Sequence, residues 1–404
     1  MKFKTLLLIF IFIICIHLNI FASEINIGSE AGLLVEVSTG KVLFEKNSTK
    51  KMFPASTTKI LTGILVIENC NLTDIVTVPQ SALENIPSGY VTCNISAGEE
   101  LTVNDLLHVL MIPSANDAAY VLAEYVGGSV SGFSDMMNKK ALEIGCTNTH
   151  FVNPNGIHDD THYTTAYDLY LMANYAMKNE TFREIVSKTS YTLPETNKHS
   201  SLDRVFHTTN ELLNSKSRYF YENTIGVKTG HTAQAGNCLV AQSSKDNLEF
   251  ISVVLNGGTT NSGLNERYID SKNLLEYGYN NYTFTTLIPK SSILKTIEVE
   301  NGTKETKNLD LVIDNDIYAL HNKTLDFDSI TPEITLQENI LAPITKGTVL
   351  GHVKYNIDGT EYESNLIANT DVEKNMDVSI ILIIVGFTLL ILSSFISKKK
   401  RKRK

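Results

Sequence analysis

Phe53-Pro54-Ala55-Ser56-Thr57-Thr58-Lys59-Ile60 stands at the head of an apolar run, residues 60–67, that reads as a buried helix. Residues three apart share a helix face, so the Lys59 amine can reach the Ser56 hydroxyl. A serine hydroxyl is a weak nucleophile unless a base is held against it. Ser-x-x-Lys supplies that base within one turn, and Pro54 marks where the chain enters it. The same four residues also suit a capped helix with an exposed lysine. What separates the two readings is whether the rest of the chain supplies partners for Ser56.

Outward from this stretch the pattern is mixed. Residues 32–37 and 41–45 flank Ser38-Thr39-Gly40 and read as a hairpin. Helical periodicity is carried by residues 101–111, 117–126, 133–144 and 165–177, while 222–230, 236–243 and 248–257 read as strands. A helix over 265–279 closes the set. Strands at both ends of an inserted helical block predict an α+β layered domain. Past Tyr282 the runs become short and alternating, over 293–299, 309–313, 317–320, 348–355 and 360–367. Turn signals such as Asn301-Gly302 and Asp358-Gly359 separate them, which predicts a small all-β domain.

The chain has 404 residues, 43% hydrophobic and 20% charged, a globular composition long enough for two domains. Residues 1–23 read as a signal peptide: Lys2 and Lys4, an apolar core over 6–21, and Ala22-Ser23 before Glu24. Ile14 precedes Cys15 where a lipoprotein signal needs a small residue, which argues against lipidation. Residues 378–397 carry no charge and are mostly Ile, Leu, Val and Phe, so a transmembrane helix of about 20 residues is predicted there. The basic tail 398–404 would then be cytoplasmic and everything between signal and span extracytoplasmic, giving a cell-membrane protein with a single C-terminal span.

All 44 acidic residues fall within 24–377, whereas two basic residues lie before that range and seven of the 35 lie after it. The intervening part therefore carries a net charge of about −18, which excludes nucleic acid as the expected partner. Cys70, Cys93, Cys146 and Cys238 are scattered without Cys-x-x-Cys spacing, so neither a zinc site nor a disulfide framework is indicated. Buried free thiols are expected, with a Cys70–Cys93 pair left open.

Two further motifs follow Ser56-Thr57-Thr58-Lys59 in order: Ser114-Ala115-Asn116 and Lys228-Thr229-Gly230. Each is common alone; the three together in an exported chain resemble the signature of penicillin-binding proteins and serine β-lactamases. Pro54 to Lys59, Pro113 to Ala118, Asn153-Pro154-Asn155-Gly156 and Gly226 to Thr232 narrow this. They resemble the low-molecular-mass penicillin-binding proteins, serine-type D-alanyl-D-alanine carboxypeptidases, over nearly the whole mature chain. The resemblance implies a β-lactamase/penicillin-binding transpeptidase-like domain over 24–283, an antiparallel sheet with a helical cluster. A small β-sandwich over 284–371 and the transmembrane helix over 378–397 would follow.

The resemblance also implies roles. Ser56 would attack the penultimate D-alanine carbonyl of a peptidoglycan stem peptide ending in D-Ala-D-Ala, forming an acyl-enzyme. Lys59 would be its general base, its pKa lowered by burial and by Lys228. Ser114 would pass the proton to the departing D-alanine, and Asn116 would bind Lys59 and the substrate amide. Thr229 would bond the terminal carboxylate, Gly230 would admit the substrate backbone, and the backbone N–H groups of Ser56 and His231 would form the oxyanion hole. Arg267 would read the free carboxylate, with an exposed helix arginine as its alternative.

β-Lactam antibiotics would be covalent inhibitors, and the C-terminal helix would bind the membrane. No cofactor and no metal are expected: His158 and His162, four apart among acids, match a loop at the rim of the site better than a ligand pair. The nearest rival function is a D,D-endopeptidase cutting cross-links, and a non-catalytic cell-wall binding protein is the rival of another class. A β-lactamase is disfavoured because Ala115 replaces the Asp of the class A Ser-Asp-Asn motif.

Overall fold

β1 (Ala31–Glu36) and β2 (Val42–Lys46) pair antiparallel, the hairpin expected around Ser38-Thr39-Gly40. The buried Glu36 carboxylate closes their turn by accepting from the hydroxyls of Ser38 and Thr39. The chain then leaves the sheet through α1 (Lys59–Asn69), β3 (Ile75–Thr77), α2 (Gln80–Glu84), β4 (Glu100–Thr102), α3 (Val103–Met111), α4 (Asn116–Gly127) and α5 (Val130–Ile144). It continues through α6 (Ala166–Ala176), α7 (Glu180–Ser187) and the short hairpin strands β5 (Ser190–Thr192) and β6 (Val205–His207). It returns as β7 (Thr224–Thr232), β8 (Gly236–Lys245) and β9 (Leu248–Gly257), and α8 (Glu266–Asn281) follows.

The sheet order is β2-β1-β9-β8-β7, antiparallel throughout, so strands from the two ends of this region lie side by side. The whole helical block is thus an insertion between β2 and β7. α1 is buried on every face from Lys59 to Val66, the behaviour of a central core helix. α3 begins two residues later than its periodicity suggests because Thr102 and Asp105 form a reciprocal capping box. α4 stops at Gly128, which takes a left-handed conformation at φ 71°.

The described residues are 25–84, 86–200, 203–375 and 378–401 in this computed structural model, and the chain separates into two compact units, Met1–Asn280 and Asn281–Lys404. The second unit holds β10 (Tyr282–Ile288), β11 (Ile293–Glu298), β12 (Asn308–Ile313), β13 (Ile317–Asn322), β14 (Glu333–Leu336), β15 (Val349–Ile357) and β16 (Thr360–Ala368). One sheet runs β11-β12-β16-β15-β14 and the other pairs β10 with β13. Their core gathers Leu309, Leu311, Val353, Ile357 and Leu366. Asp358 and Gly359, both at positive φ, turn β15 into β16 in two residues, the geometry that matches strand twist. The four cysteines among the described residues are free thiols; Cys93, Cys146 and Cys238 are buried and Cys70 partly so.

One part of the expected fold is overturned, the transmembrane helix over 378–397. A helix, α9 (Val378–Arg401), is present, but among the described residues no helix is long and apolar enough to cross a membrane. The expected membrane contact through this helix is not supported. The expected signal peptide, 1–23, lies outside the described residues.

Candidate active site

Ser56 does not stand on the first turn of α1, as its spacing from Lys59 suggests. It lies in a tighter 3-10 turn, Ala55–Thr58, with α1 starting only at Lys59. Thr57 closes that turn by donating its N–H and its hydroxyl to the Pro54 carbonyl, at 3.3 and 2.7 Å. Ala55 is forced to φ 48°, a strained conformation for a residue with a Cβ. Ser114 carries the same kind of strain at φ 70°.

Lys59 is completely buried. Its Nζ lies 2.9 Å from Asn116 Oδ1, 3.0 Å from the Asn155 carbonyl and 3.0 Å from Ser56 Oγ. The Asn116 amide is oriented by donating its Nδ2 to the Val91 carbonyl at 3.0 Å, which leaves Oδ1 toward the lysine. Burial pushes the Lys59 pKa well down, and the neighbouring Lys228 pushes it further. A neutral amine has two N–H groups and one lone pair. Asn116 Oδ1 and the Asn155 carbonyl can only accept, so when the amine is neutral they take its two N–H groups and its lone pair is free for the Ser56 hydroxyl. This is the arrangement of a serine held against its base.

The 153–157 loop is what fixes it. Asn153 Oδ1 accepts from Gly156 N and its Nδ2 donates to the Ile157 carbonyl, folding the loop on itself. Thr62, one turn after Lys59, donates to the Pro154 carbonyl at 2.6 Å, so successive loop carbonyls meet successive positions on one face of α1. Gly156, at φ 83°, runs so close to the turn that a Cβ there would sit 1.8 Å from the Ala55 carbonyl oxygen.

The two histidines go to different neighbours. His162 is buried, accepts from Val152 N at Nδ1 and donates from Nε2 to Thr58 Oγ1 at 2.9 Å. Burial pushes its pKa down to about 3, so the ring stays neutral. His158 packs edge-on against Phe53, with ring centroids 4.6 Å apart. Among the described residues no group of three or more His, Cys, Asp or Glu could hold a metal ion.

β7 forms the facing wall. An added Cβ on Gly230 would lie 2.9 Å from the Pro54 carbonyl and 3.0 Å from Ser56 N, so only glycine lets the strand come this close to the serine turn. Lys228 is buried, donates to the Thr229 carbonyl at 3.1 Å, and has its pKa pushed down to about 7 by burial, with Arg267 adding to it. Arg267, from the start of α8, donates to the Gly230 carbonyl at 3.1 Å and to the Tyr268 hydroxyl at 2.9 Å. A cleft of about 430 Å³ opens between these walls. Ser56, Ser114, Asn116, Thr229, Gly230, His231 and Arg267 all line it, and Lys59 and Lys228 are buried behind it. All nine expected site residues therefore belong to one assembly.

Sequence and structure comparisons agree with this geometry. The peptidase S11 family, D-alanyl-D-alanine carboxypeptidase, matches residues 19–259. The chain belongs to the D-alanyl-D-alanine carboxypeptidase family of serine peptidases. The C-terminal domain of penicillin-binding protein 5 matches residues 282–374. The D-alanyl-D-alanine carboxypeptidase DacF of Bacillus subtilis is 33% identical over 87% of this chain and 88% of its own length. DacA of Haemophilus influenzae is 32% identical over 86% of each. The crystal structure of penicillin-binding protein 5 from Haemophilus influenzae superposes with a TM-score of 0.64 at 28% identity, covering 87% of this chain and 99% of that one.

As a serine D-alanyl-D-alanine carboxypeptidase, the chain also uses groups that its motifs do not announce. The Asn155 and Val91 carbonyls orient Lys59 and Asn116, yet a backbone oxygen leaves no signal in residue type. Asn153-Pro154-Asn155-Gly156 is conspicuous in sequence, but its task of receiving Lys59 and Thr62 is visible only once folded. Thr209, whose hydroxyl is 2.5 Å from that of Thr229, and Tyr268 carry no sequence signal at all.

Proposed function

We propose that this carboxypeptidase releases the terminal D-alanine of peptidoglycan stem peptides through an acyl-enzyme on Ser56. Neutral Lys59 takes the Ser56 proton as Oγ attacks the penultimate D-alanine carbonyl. The N–H groups of Ser56 and His231 receive the developing oxyanion. Ser114 protonates the departing D-alanine, Thr229 and Arg267 hold its carboxylate, and Lys228 helps lower the Lys59 pKa. Water then releases the shortened peptide. The observation that carries this reading is the buried Lys59 Nζ, 3.0 Å from Ser56 Oγ and held there by Asn116 Oδ1 and the Asn155 carbonyl.

The catalytic domain is assigned to 24–283 and the β-domain to 284–371, and β-lactams are expected to acylate Ser56 as substrate mimics. The substrate places the catalytic domain outside the cytoplasm. Arg267 in the cleft favours free carboxylate ends over cross-links. The test is labelling with a fluorescent penicillin alongside D-alanine release from a diacyl-D-Ala-D-Ala peptide. Ser56→Ala should abolish both; label retained by Ser56→Ala would assign the nucleophile elsewhere.

A further inference from the structure

Arg267 and Thr229 reach the cleft from different elements, α8 and β7, and nothing in either motif explains how their mutual position is held. The connection runs through one buried hydroxyl. Tyr268 is 3% exposed, and its hydroxyl accepts from Arg267 Nη2 at 2.9 Å while donating to the Thr209 carbonyl at 2.8 Å. The side-chain hydroxyl of that same Thr209 pairs with Thr229 Oγ1 at 2.5 Å. The Arg267 guanidinium also lies over the Tyr268 ring, 4.7 Å from its centroid, and the ring packs on Tyr219 with centroids 4.7 Å apart. Tyr219 in turn accepts from Asn265 N, at the approach to α8.

We propose that Tyr268 is a positioning residue that sets the spacing of the carboxylate anchor, holding Arg267 with one side of its hydroxyl and Thr209–Thr229 with the other. This rests on the reading of Arg267 and Thr229 as the groups that meet the terminal carboxylate. The hydroxyl proton is committed to the buried Thr209 carbonyl, so it is not offered to substrate. Without it, Arg267 Nη2 loses its fixed partner and the Thr209 carbonyl loses its only described side-chain donor, while the ring can keep its stacking on Tyr219. The defect should therefore appear as weaker capture of a carboxylate rather than as a weaker nucleophile.

The experiment compares wild type and Tyr268→Phe on a diacyl-D-Ala-D-Ala peptide and on the same peptide with a C-terminal amide. Thermal unfolding of both proteins serves as a check on folding. Tyr268→Phe should raise KM for the acid about tenfold, the loss expected for one hydrogen bond to a charged group, and change kcat/KM for the amide less than about twofold. Equal losses on acid and amide, or no change on either, would overturn the positioning role while leaving the Arg267 reading intact. A wild-type enzyme that does not distinguish acid from amide would overturn the Arg267 reading, and this inference with it.

Discussion

The two units of the chain bury different things. In the first, Lys59, Asn155, Lys228 and Asp117 are all at or below 1% exposure, beside a core of aliphatic side chains. In the second, the buried polar side chains among the described residues are His321 and Ser364, and the interior is otherwise Leu, Ile, Val, Ala and Tyr. Desolvating an amine costs far more than desolvating a methyl group, and the cost is recovered only when partners surround it. The first unit accepts that cost twice, at Lys59 and Lys228, and adds backbone strain at Ala55 and Ser114. Among its described residues the second buries no lysine, although Ser291 takes φ 72° there. Buried lysine amines, rather than buried polarity in general, mark the candidate site here.

The comparison breaks most sharply at Lys59. Lys59→Met should reduce D-alanine release and penicillin acylation by about 10²–10⁴-fold, the usual weight of a general base. Stability should change little by contrast. The variant orphans Asn116 Oδ1 and the Asn155 carbonyl, at about 1–3 kcal/mol each, but it removes a desolvated amine of similar cost. Steady-state kinetics with chemical denaturation reads both quantities. Near-normal turnover in Lys59→Met would remove the distinction between the units.

Leu311→Ala is the converse. Leu311 is fully buried in the second unit, and truncation there should cost that unit about 2–5 kcal/mol. Every residue lining the cleft lies between Ser56 and Arg267, so kcat for D-alanine release should stay at the wild-type value. A fall in kcat comparable with the stability loss would mean that the β-domain core takes part in catalysis.

The same contrast explains how much of the molecule was legible in its sequence. β1, β2, β8 and β9 emerge as apolar runs bounded by turn signals, and α3 to α6 from helical periodicity. β10 and β14 were not legible: Tyr282–Ile288 continues straight from α8 without a break, and Glu333–Leu336 is a short edge strand with only partly buried apolar residues. α7 and the β5–β6 hairpin escaped for a similar reason, being brief elements whose order comes from tertiary contacts. At the site, side-chain chemistry was readable and backbone chemistry was not. Ser56, Lys59, Ser114, Asn116 and Lys228 declare themselves by residue type and order. The strained turn that moves Ser56 off the helix does not, nor do the carbonyls that aim Lys59.

The mildest test concerns the coupling of the two buried lysines and turns on pH. Lys228 helps hold the Lys59 pKa down, so Lys228→Met should raise it, and the acid limb of the penicillin acylation rate should move to higher pH. Stability carries a second signature of the same group. Lys228 has its pKa pushed down to about 7 from an ordinary 10.5, so between those values the unfolded chain binds the extra proton and the folded chain does not. Wild-type stability attributable to this group should therefore rise with pH across that window, by at most about 1.4 kcal/mol per pH unit, and should not rise further above it. Lys228→Met should flatten that rise while shifting the acid limb. An unmoved limb would show that burial alone tunes Lys59, and that the second buried lysine is there for the substrate rather than for the base.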